Sequence, residues 1–260
     1  MGRLDGKVAI VTGAGRGIGR AIATLFSTEG AAVVVASRTA ATVEEAVREI
    51  QQTGGRALGV TCDVSHREQV AAMVASATAS FGGPDILVNA AQGFGTAAAP
   101  EPFPQPRPLE AIADEEWDFT LRSGLMGTLW CMRAVFPHMK DRGGKIINFG
   151  SLAGQRGAAG SAAYNVAKEA IRGLTRTAAR EWGRYRINVN VINPGAKSRA
   201  LEEFQKSNPT KIDPARQVPL GRLGDALTDI APAALFLASS DSDYVTGMTL
   251  MVDGGTLMLP

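Results

Sequence analysis

The 260-residue sequence predicts an α/β fold, a doubly wound parallel sheet with helices on both faces. Short β-branched runs recur along it, as expected of strands buried on both sides. They alternate strictly with stretches of helical periodicity, the pattern that produces parallel sheets. The first run opens directly into a glycine cluster and then a helix, which is the setting of a turn that cradles phosphate.

The first strand is Lys7–Thr12, followed by Gly13-Ala-Gly-Arg-Gly-Ile-Gly19. Its glycines allow a tight turn and close backbone approach. The helix from Arg20 to Glu29 then offers free N–H groups to a pyrophosphate. The second strand, Ala32–Ser37, ends at Arg38. In dinucleotide-binding folds this strand end meets the adenosine ribose, where a carboxylate accepts from the 2′-hydroxyl. Here stand Ser37 and Arg38, with Arg16 in the glycine turn nearby. Two guanidiniums and a hydroxyl suit a 2′-phosphate, which favours NADP(H) over NAD(H); the alternative is that either arginine faces solvent. Thr42-Val-Glu-Glu45 reads as a capping box that opens a helix to about Gln52, ended by Gly54-Gly55. Ala57–Cys62 is the third strand. Asp63 follows it, placed to accept from an adenine amino group. Ser65-His-Arg-Glu68 reads as a second capping box and opens a helix to Phe81. Pro84-Asp85 turns the chain into the fourth strand, Ile86–Asn89.

Pro100 to Pro108 has proline at every second position. That excludes a helix or a central strand and favours an extended polyproline path. The segment is either a wall of the substrate pocket, with Phe94 and Phe103 as apolar contacts, or a surface excursion. A helix begins near Asp114, and Lys145–Phe149 is the fifth strand. A further helix passes through Tyr164 and Lys168 to about Trp182, where Gly183 stops it. Ile187–Ile192 is the sixth strand. Leu201–Gly221 mixes a short helix with proline-broken loop, as a mobile cover would. Asp225–Ala238 is the last helix and Thr249–Val252 the last strand. There is no solenoid repeat and no linker, so residues 1–260 read as one domain, with a substrate loop at about 92–113 and a lid at about 196–221.

The chemistry concentrates between Ser151 and Lys168. Tyr164 and Lys168 stand at i and i+4 of one helix, so they share a face. A tyrosine hydroxyl titrates near about pH 10 in water. A nearby ammonium favours the phenolate and lowers that value, which makes a proton donor and acceptor usable near neutral pH. Ser151, just after a strand, can offer a hydroxyl to the same substrate oxygen. Tyrosine and lysine fall four apart on many ordinary helices; the glycine turn is what favours the functional reading here.

Composition sets the remaining bounds. Charged residues are 20% of the chain, the hydrophobic set is 45%, and the net charge is +2. These values suit a soluble globular protein and point to neither a nucleic-acid nor a membrane partner. The N-terminus runs straight into a strand, without a signal-peptide pattern, and no apolar run approaches a membrane span. Cys62 and Cys131 read as free buried thiols in a reducing, cytoplasmic compartment. His66 and His138 fall near helix ends and suit capping or solvated roles. No metal site is expected.

The ordered set of motifs resembles the short-chain dehydrogenase/reductase family. It comprises Thr12 to Gly19 (TGAGRGIG), Asp63-Val64, Ile86–Asn89, Ser151, Tyr164-Asn-Val-Ala-Lys168, Asn193-Pro-Gly195 and Val252-Asp-Gly-Gly255. The resemblance spans essentially the whole chain. It implies a Rossmann-type sheet of about seven strands with nucleotide at the strand C-terminal ends. It also implies hydride transfer between nicotinamide and a carbonyl or alcohol. Ser151 would orient the substrate oxygen, Tyr164 would pass the proton, and Lys168 would lower the tyrosine pKa and bind the nicotinamide ribose. Gly13, Arg16, Gly17, Ile18, Gly19, Ser37, Arg38, Asp63, Val64, Asn89, Pro194 and Gly195 complete the expected cofactor contacts. The expected activity is an NADP(H)-dependent ketone reductase. The alternatives are an NAD-dependent alcohol dehydrogenase, or a nucleotide-binding protein with weak or no catalysis. A homotetramer or homodimer is implied, built in part by the helices of Asp114–Lys140 and Ala162–Trp182.

Three departures from the family pattern stand out. Where Asn-Asn-Ala-Gly is usual, the chain reads Asn89-Ala-Ala-Gln92; Gln92 adds bulk beside the expected nicotinamide ribose, and Gly93 is the candidate to replace the lost glycine. Gly124 stands where the family has an asparagine that holds a water in its proton relay, so either a water fills the gap or the relay is slower. After Pro194-Gly195 a threonine is usual; here Arg199 holds the position, with Ser198 one step early.

Overall fold

A computed structural model describes residues 2–101, 104–197 and 214–258. Its strands are β1 (Val8–Thr12), β2 (Ala32–Ser37), β3 (Arg56–Thr61), β4 (Ile86–Asn89), β5 (Phe94–Gly95), β6 (Pro100–Glu101), β7 (Gly144–Phe149), β8 (Ile187–Pro194) and β9 (Thr249–Val252). The main helices are α1 (Gly17–Thr28), α2 (Ala40–Gln52), α3 (Arg67–Phe81), α4 (Asp114–Leu121), α5 (Gly127–Met139), α6 (Leu152–Arg156), α7 (Ala162–Trp182) and α8 (Ala231–Ala238). Seven parallel strands form the main sheet in the order β3-β2-β1-β4-β7-β8-β9. This is the doubly wound parallel α/β architecture that the strand–helix alternation predicts.

Side chains alternate along each strand and so feed two cores. Val11, Val33, Val35 and Val88 face α1, α2 and α8. Ile10, Val34, Leu87 and Ile146 face α3, α5 and α7. Full burial of such a side chain contributes about 1.5–3 kcal/mol. The largest buried groups, among them Phe26, Met73 and Met132, therefore clamp a helix to each face.

The chain steps outward from β1 to β2 and β3, then returns to lay β4 on the other edge of β1. The crevice at the C-terminal ends of β1 and β4 is the topological switch point, where open α/β sheets take ligands. Register aligns Thr12 with Asn89 and Asn89 with Asn148. The Thr12 hydroxyl accepts from the N–H groups of Ala90 and Ala91, each at 3.2 Å, and so fixes the turn that leaves β4.

Local starts and stops differ from the sequence expectations where side chains prefer other partners. Helix α2 begins at Ala40, and the Thr42 hydroxyl donates to Thr39 O at 2.9 Å instead of capping. Helix α3 begins at Arg67, because Ser65 donates its hydroxyl to Asp63 Oδ1 at 2.7 Å. Helix α7 ends at Trp182 as expected. Gly183 continues into a 3-10 turn, however, and Arg186 takes the left-handed conformation at φ 59°. The final helix is two pieces, a π-helical turn at Ala226–Ile230 and then α8. The Asp225 carboxylate caps it, accepting from Leu227 and Thr228 N–H at 2.8 and 2.9 Å. The helix expected near Asp114 contains a second π-helical turn, Arg122–Met126, between α4 and α5.

Candidate active site

The glycine turn at the end of β1 is built for close approach. Gly13 has φ 69°, and a β-carbon there would lie 2.8 Å from Ala90 O. At Gly19 a β-carbon would lie 2.5 Å from Gly13 O, so the turn and α1 pack backbone to backbone. Gly17, at φ 57°, faces open space at the first position of α1. The preceding Arg16 is exposed and makes no side-chain cap, which leaves the helix N–H groups for an external acceptor. These features fit a dinucleotide pyrophosphate. Ile18 is half-buried against the first core.

At the end of β2, Ser37 is half-buried and Arg38 exposed. The Arg38 guanidinium lies 5.6 Å from the centre of the Phe119 ring. Neither Arg16 nor Arg38 makes an ion pair among the described residues. Asp63 is partly engaged: its Oδ1 accepts from the backbone and the hydroxyl of Ser65 at 2.9 and 2.7 Å. Val64 is buried against Gly127. Asn89 donates through Nδ2 to Asn148 Oδ1 at 2.9 Å, while its own Oδ1 is buried without a partner. Pro194 closes β8, and Gly195 donates to Val252 O at 2.8 Å. A side chain at Gly195 would meet the Asp253 backbone at 2.7 Å. Ser198, Arg199, Phe103 and most of the expected lid lie outside the described residues.

Ser151, Tyr164 and Lys168 come together past the C-terminal end of β7. Ser151 is the N-cap of α6, accepting from Ala153 N–H at 3.1 Å, and its hydroxyl also engages the Tyr164 phenol. Lys168 is buried; its ammonium lies 5.5 Å from the Tyr164 ring centre and donates to Phe149 O at 3.1 Å. Burial lowers the Lys168 pKa to about 8. Tyr164 moves opposite to the sequence expectation. Desolvation raises its pKa, and the only opposing influence is the hydrogen bond from Ser151, which lowers it. The ammonium sits over the ring at a distance that does not offset burial of the hydroxyl.

The segment after β4, for which the sequence offered either a pocket wall with Phe94 as an apolar contact or a surface excursion, lies beside Tyr164. The Phe94 ring packs on Tyr164, 5.5 Å between centres. Part of the proline segment borders a small cavity beside Tyr164, lined by Phe94, Pro104, Arg107, Ile112 and Glu116. Arg107 staples this segment down, pairing with Glu116 at 2.6 Å and Glu101 at 2.7 Å and donating its backbone N–H to Gly160 O at 3.0 Å. Pro100 tolerates its place in β6 because that strand belongs to a two-stranded ribbon, away from the main sheet. Gly93 packs against α4 and the π-helical turn that follows it. A side chain there would meet Phe119 at 2.8 Å and Ser123 Oγ at 2.9 Å. Gln92 turns inward, donating to Gly93 O and Thr120 O at 2.9 and 3.2 Å, instead of projecting as bulk into the site.

Cys62 and Cys131 are free and buried. His66 is the N-cap residue of α3 without a side-chain cap bond, and His138 lies in the last turn of α5. Among the described residues no cluster of three or more His, Cys, Asp or Glu side chains is placed to hold a metal ion. No described helix is long and apolar enough to cross a membrane.

Comparison with known proteins agrees with this geometry. A family model described as enoyl-(acyl carrier protein) reductase matches residues 13–256. A 12α-hydroxysteroid dehydrogenase from a Clostridium species is 38% identical, with 98% of each chain covered. The short-chain reductase protein NovJ of Streptomyces niveus is 41% identical over 96% of this chain and 93% of its own. A galactitol 2-dehydrogenase of Agrobacterium fabrum is 38% identical over 98% of this chain and 99% of its own. With a nucleotide cradle at the switch point and a Ser–Tyr–Lys cluster beside it, the chain belongs to the short-chain dehydrogenase/reductase family, NAD(P)-dependent oxidoreductases that act on the CH–OH/C=O couple.

Proposed function

We infer that the protein is an NADP(H)-dependent reductase of ketones. The observation that carries this reading is the Ser151–Tyr164–Lys168 cluster, set beside the glycine turn with Phe94 packed on the tyrosine ring. The nicotinamide, when bound, supplies the hydride that reduces the carbonyl carbon. Ser151 orients the substrate oxygen by its hydroxyl. Tyr164 donates the phenolic proton to that oxygen as it gains charge; burial, which raises its pKa, keeps the phenol protonated until then. Lys168 holds positive charge beside the phenol and stabilises the phenolate left behind.

The preference for NADP(H) is supported by two exposed guanidiniums, Arg16 in the glycine turn and Arg38 at the end of β2, with no carboxylate at the ribose position. Gly13, Gly17 and Gly19 would hold the pyrophosphate and Asn89 the nicotinamide half. The substrate is inferred to be a neutral ketone with an apolar flank, since Phe94, Pro104 and Ile112 line the cavity and Arg107 is neutralised by two carboxylates. Assembly as a homotetramer or homodimer through α4, α5 and α7 in the cytoplasm belongs to the same reading. Val166 on α7, 46% exposed, is an apolar group such an interface would cover.

The test is a side-by-side fluorescence titration with NADPH and NADH, followed by turnover of Tyr164→Phe. Tight NADPH with weak NADH, and loss of turnover in a variant that still binds cofactor, are expected. Tight NADH with weak NADPH would replace ketone reduction by NAD-dependent alcohol oxidation. Parental turnover in Tyr164→Phe would remove the assigned chemistry.

A further inference from the structure

Helix α6 must be placed accurately, because Ser151 is its N-cap and the Ser151 hydroxyl engages the Tyr164 phenol. Yet none of its five residues is buried. A helix this short is not stable by itself, and one that buries no residue is not held by core packing. The Ser151 hydroxyl accepts from Ala153 N–H at 3.1 Å, but that bond lies inside the same turn and moves with it. Ties to other elements must set where the turn sits. Among the described residues the side chains of α6 make two. Arg156, which is exposed, donates to Thr256 O. Gln155, which is half-buried, reaches inward.

The Gln155 amide meets the amide of Asn193 at 2.5 Å. Asn193 is fully buried near the C-terminal end of β8. It also packs on Gly150, where a β-carbon would collide with its amide. Asn193 therefore touches the chain on both sides of Ser151, at Gly150 before it and at Gln155 after it. The other side of Gln155 faces Arg172 of α7, a guanidinium held by Glu169 Oε2 at 2.6 Å and Thr249 Oγ1 at 3.2 Å. With its oxygen turned to Arg172, the Gln155 amide accepts from both terminal nitrogens at 3.2 and 3.3 Å and presents Nε2 to Asn193. The Asn193 amide, turned likewise, then accepts through Oδ1, a buried atom that otherwise has no partner.

We propose that Gln155 is a positioning residue for Ser151: by bridging Arg172 on α7 and Asn193 on β8 it fixes α6, and with it the direction of the Ser151 hydroxyl. The bridge ties together three elements that carry different parts of the site. Helix α6 presents Ser151, α7 presents Tyr164 and Lys168, and β8 ends in Pro194, next to Gly195. Arg156 does not duplicate it, because its acceptor lies in the C-terminal segment and not on an element that bears Tyr164. The proposal rests on the role given above to Ser151.

Two readouts test it. Gln155→Met keeps the length of the side chain without its polar atoms. In hydrogen-exchange mass spectrometry, a peptide spanning residues 150–158 should exchange about tenfold faster or more in this variant, with the peptides of α7 unchanged. Parental exchange there overturns the proposal. In NADPH oxidation with cyclohexanone, Gln155→Met should lose about tenfold or more in kcat, with the KM for the ketone and the Kd for NADPH little changed. Gln155→Glu keeps one oxygen for Arg172 and one for Asn193 Nδ2, and should turn over faster than Gln155→Met. On a Ser151→Ala background, Gln155→Met should cost little more, because a residue that acts through Ser151 has nothing left to position. The same fold-loss on both backgrounds, or Gln155→Glu no faster than Gln155→Met, overturns the assignment. Ser151→Ala alone separates the two levels. At parental kcat it removes the role of Ser151 on which the proposal stands; if it is slow while Gln155→Met is fully active, only the role of Gln155 fails.

Discussion

Lys168→Met should make the protein more stable at neutral pH while abolishing turnover. Lys168 is 5% exposed, and its ammonium donates to Phe149 O at 3.1 Å. Burial brings its pKa from the ordinary 10.5 down to about 8. The gap between those values, at about 1.36 kcal/mol for each pH unit, corresponds to about 3 kcal/mol of native-state penalty. The native pKa is the lower one, so between the two values the unfolded chain binds more protons and stability rises with pH. The penalty is complete below about pH 8 and gone above 10.5. Methionine keeps the unbranched stem and loses a hydrogen bond worth about 1 kcal/mol. The variant should therefore gain about 2 kcal/mol at pH 7 and lose about 1 kcal/mol near pH 11. Urea unfolding of cofactor-free parent and variant, at one protein concentration, measures both. Other groups titrating in that range, such as Cys62 pushed up to about 11 by burial, cancel in the difference. A variant less stable than the parent at pH 7, or a gap that does not change with pH, would refute the reasoning.

Further outcomes follow from the same structure. Arg38→Asp should shift cofactor preference toward NADH in paired titrations; an unchanged ratio would mean that Arg38 faces solvent. Gly93→Ala forces a β-carbon to 2.8 Å from Phe119 and should cost about 1–3 kcal/mol in urea unfolding, without changing which cofactor binds. Arg107→Ala releases the proline segment from Glu101 and Glu116. Its expected signature is a raised KM with kcat nearly preserved, and the reverse pattern would place Arg107 in the chemistry. Both thiols are buried with their pKa values raised, so Ellman's reagent at neutral pH should label neither in the native protein and both in denaturant.

Strands β1, β2 and β4 were legible because each is a short, largely β-branched run buried on both faces, and one residue type then serves either side. Tyr164 and Lys168 were legible because a helix fixes the geometry of i and i+4. The capping boxes were misplaced because a threonine or serine hydroxyl has several backbone partners within reach. Thr42 chooses Thr39 O and Ser65 chooses Asp63, and neither choice leaves a mark on the local pattern. The stop after α7 was assigned to Gly183 on propensity, whereas Arg186 carries the left-handed turn. The packing of Gln92 against Gly124, where a β-carbon would lie 2.5 Å from the Gln92 amide oxygen, was out of reach: it joins residues far apart in sequence, and each alone looks like a loss. The rise in the Tyr164 pKa was likewise invisible, because a spacing reveals a neighbouring charge but not the desolvation that outweighs it.

The bond from Asn89 to Asn148 crosses the contact between β4 and β7, and Asn148 passes it on to Thr175 of α7 at 2.9 Å. Arg16 and Arg38, to which the proposed nucleotide choice is assigned, lie on the N-terminal side of that seam, and Ser151, Tyr164 and Lys168 lie on the C-terminal side. The molecule is in this sense a hybrid of two separable trades. On the proposed reading, nucleotide choice should change at the end of β2 with Tyr164 undisturbed, and a new substrate should be accommodated around Tyr164 with the nucleotide unchanged, provided that the asparagine seam between them is kept.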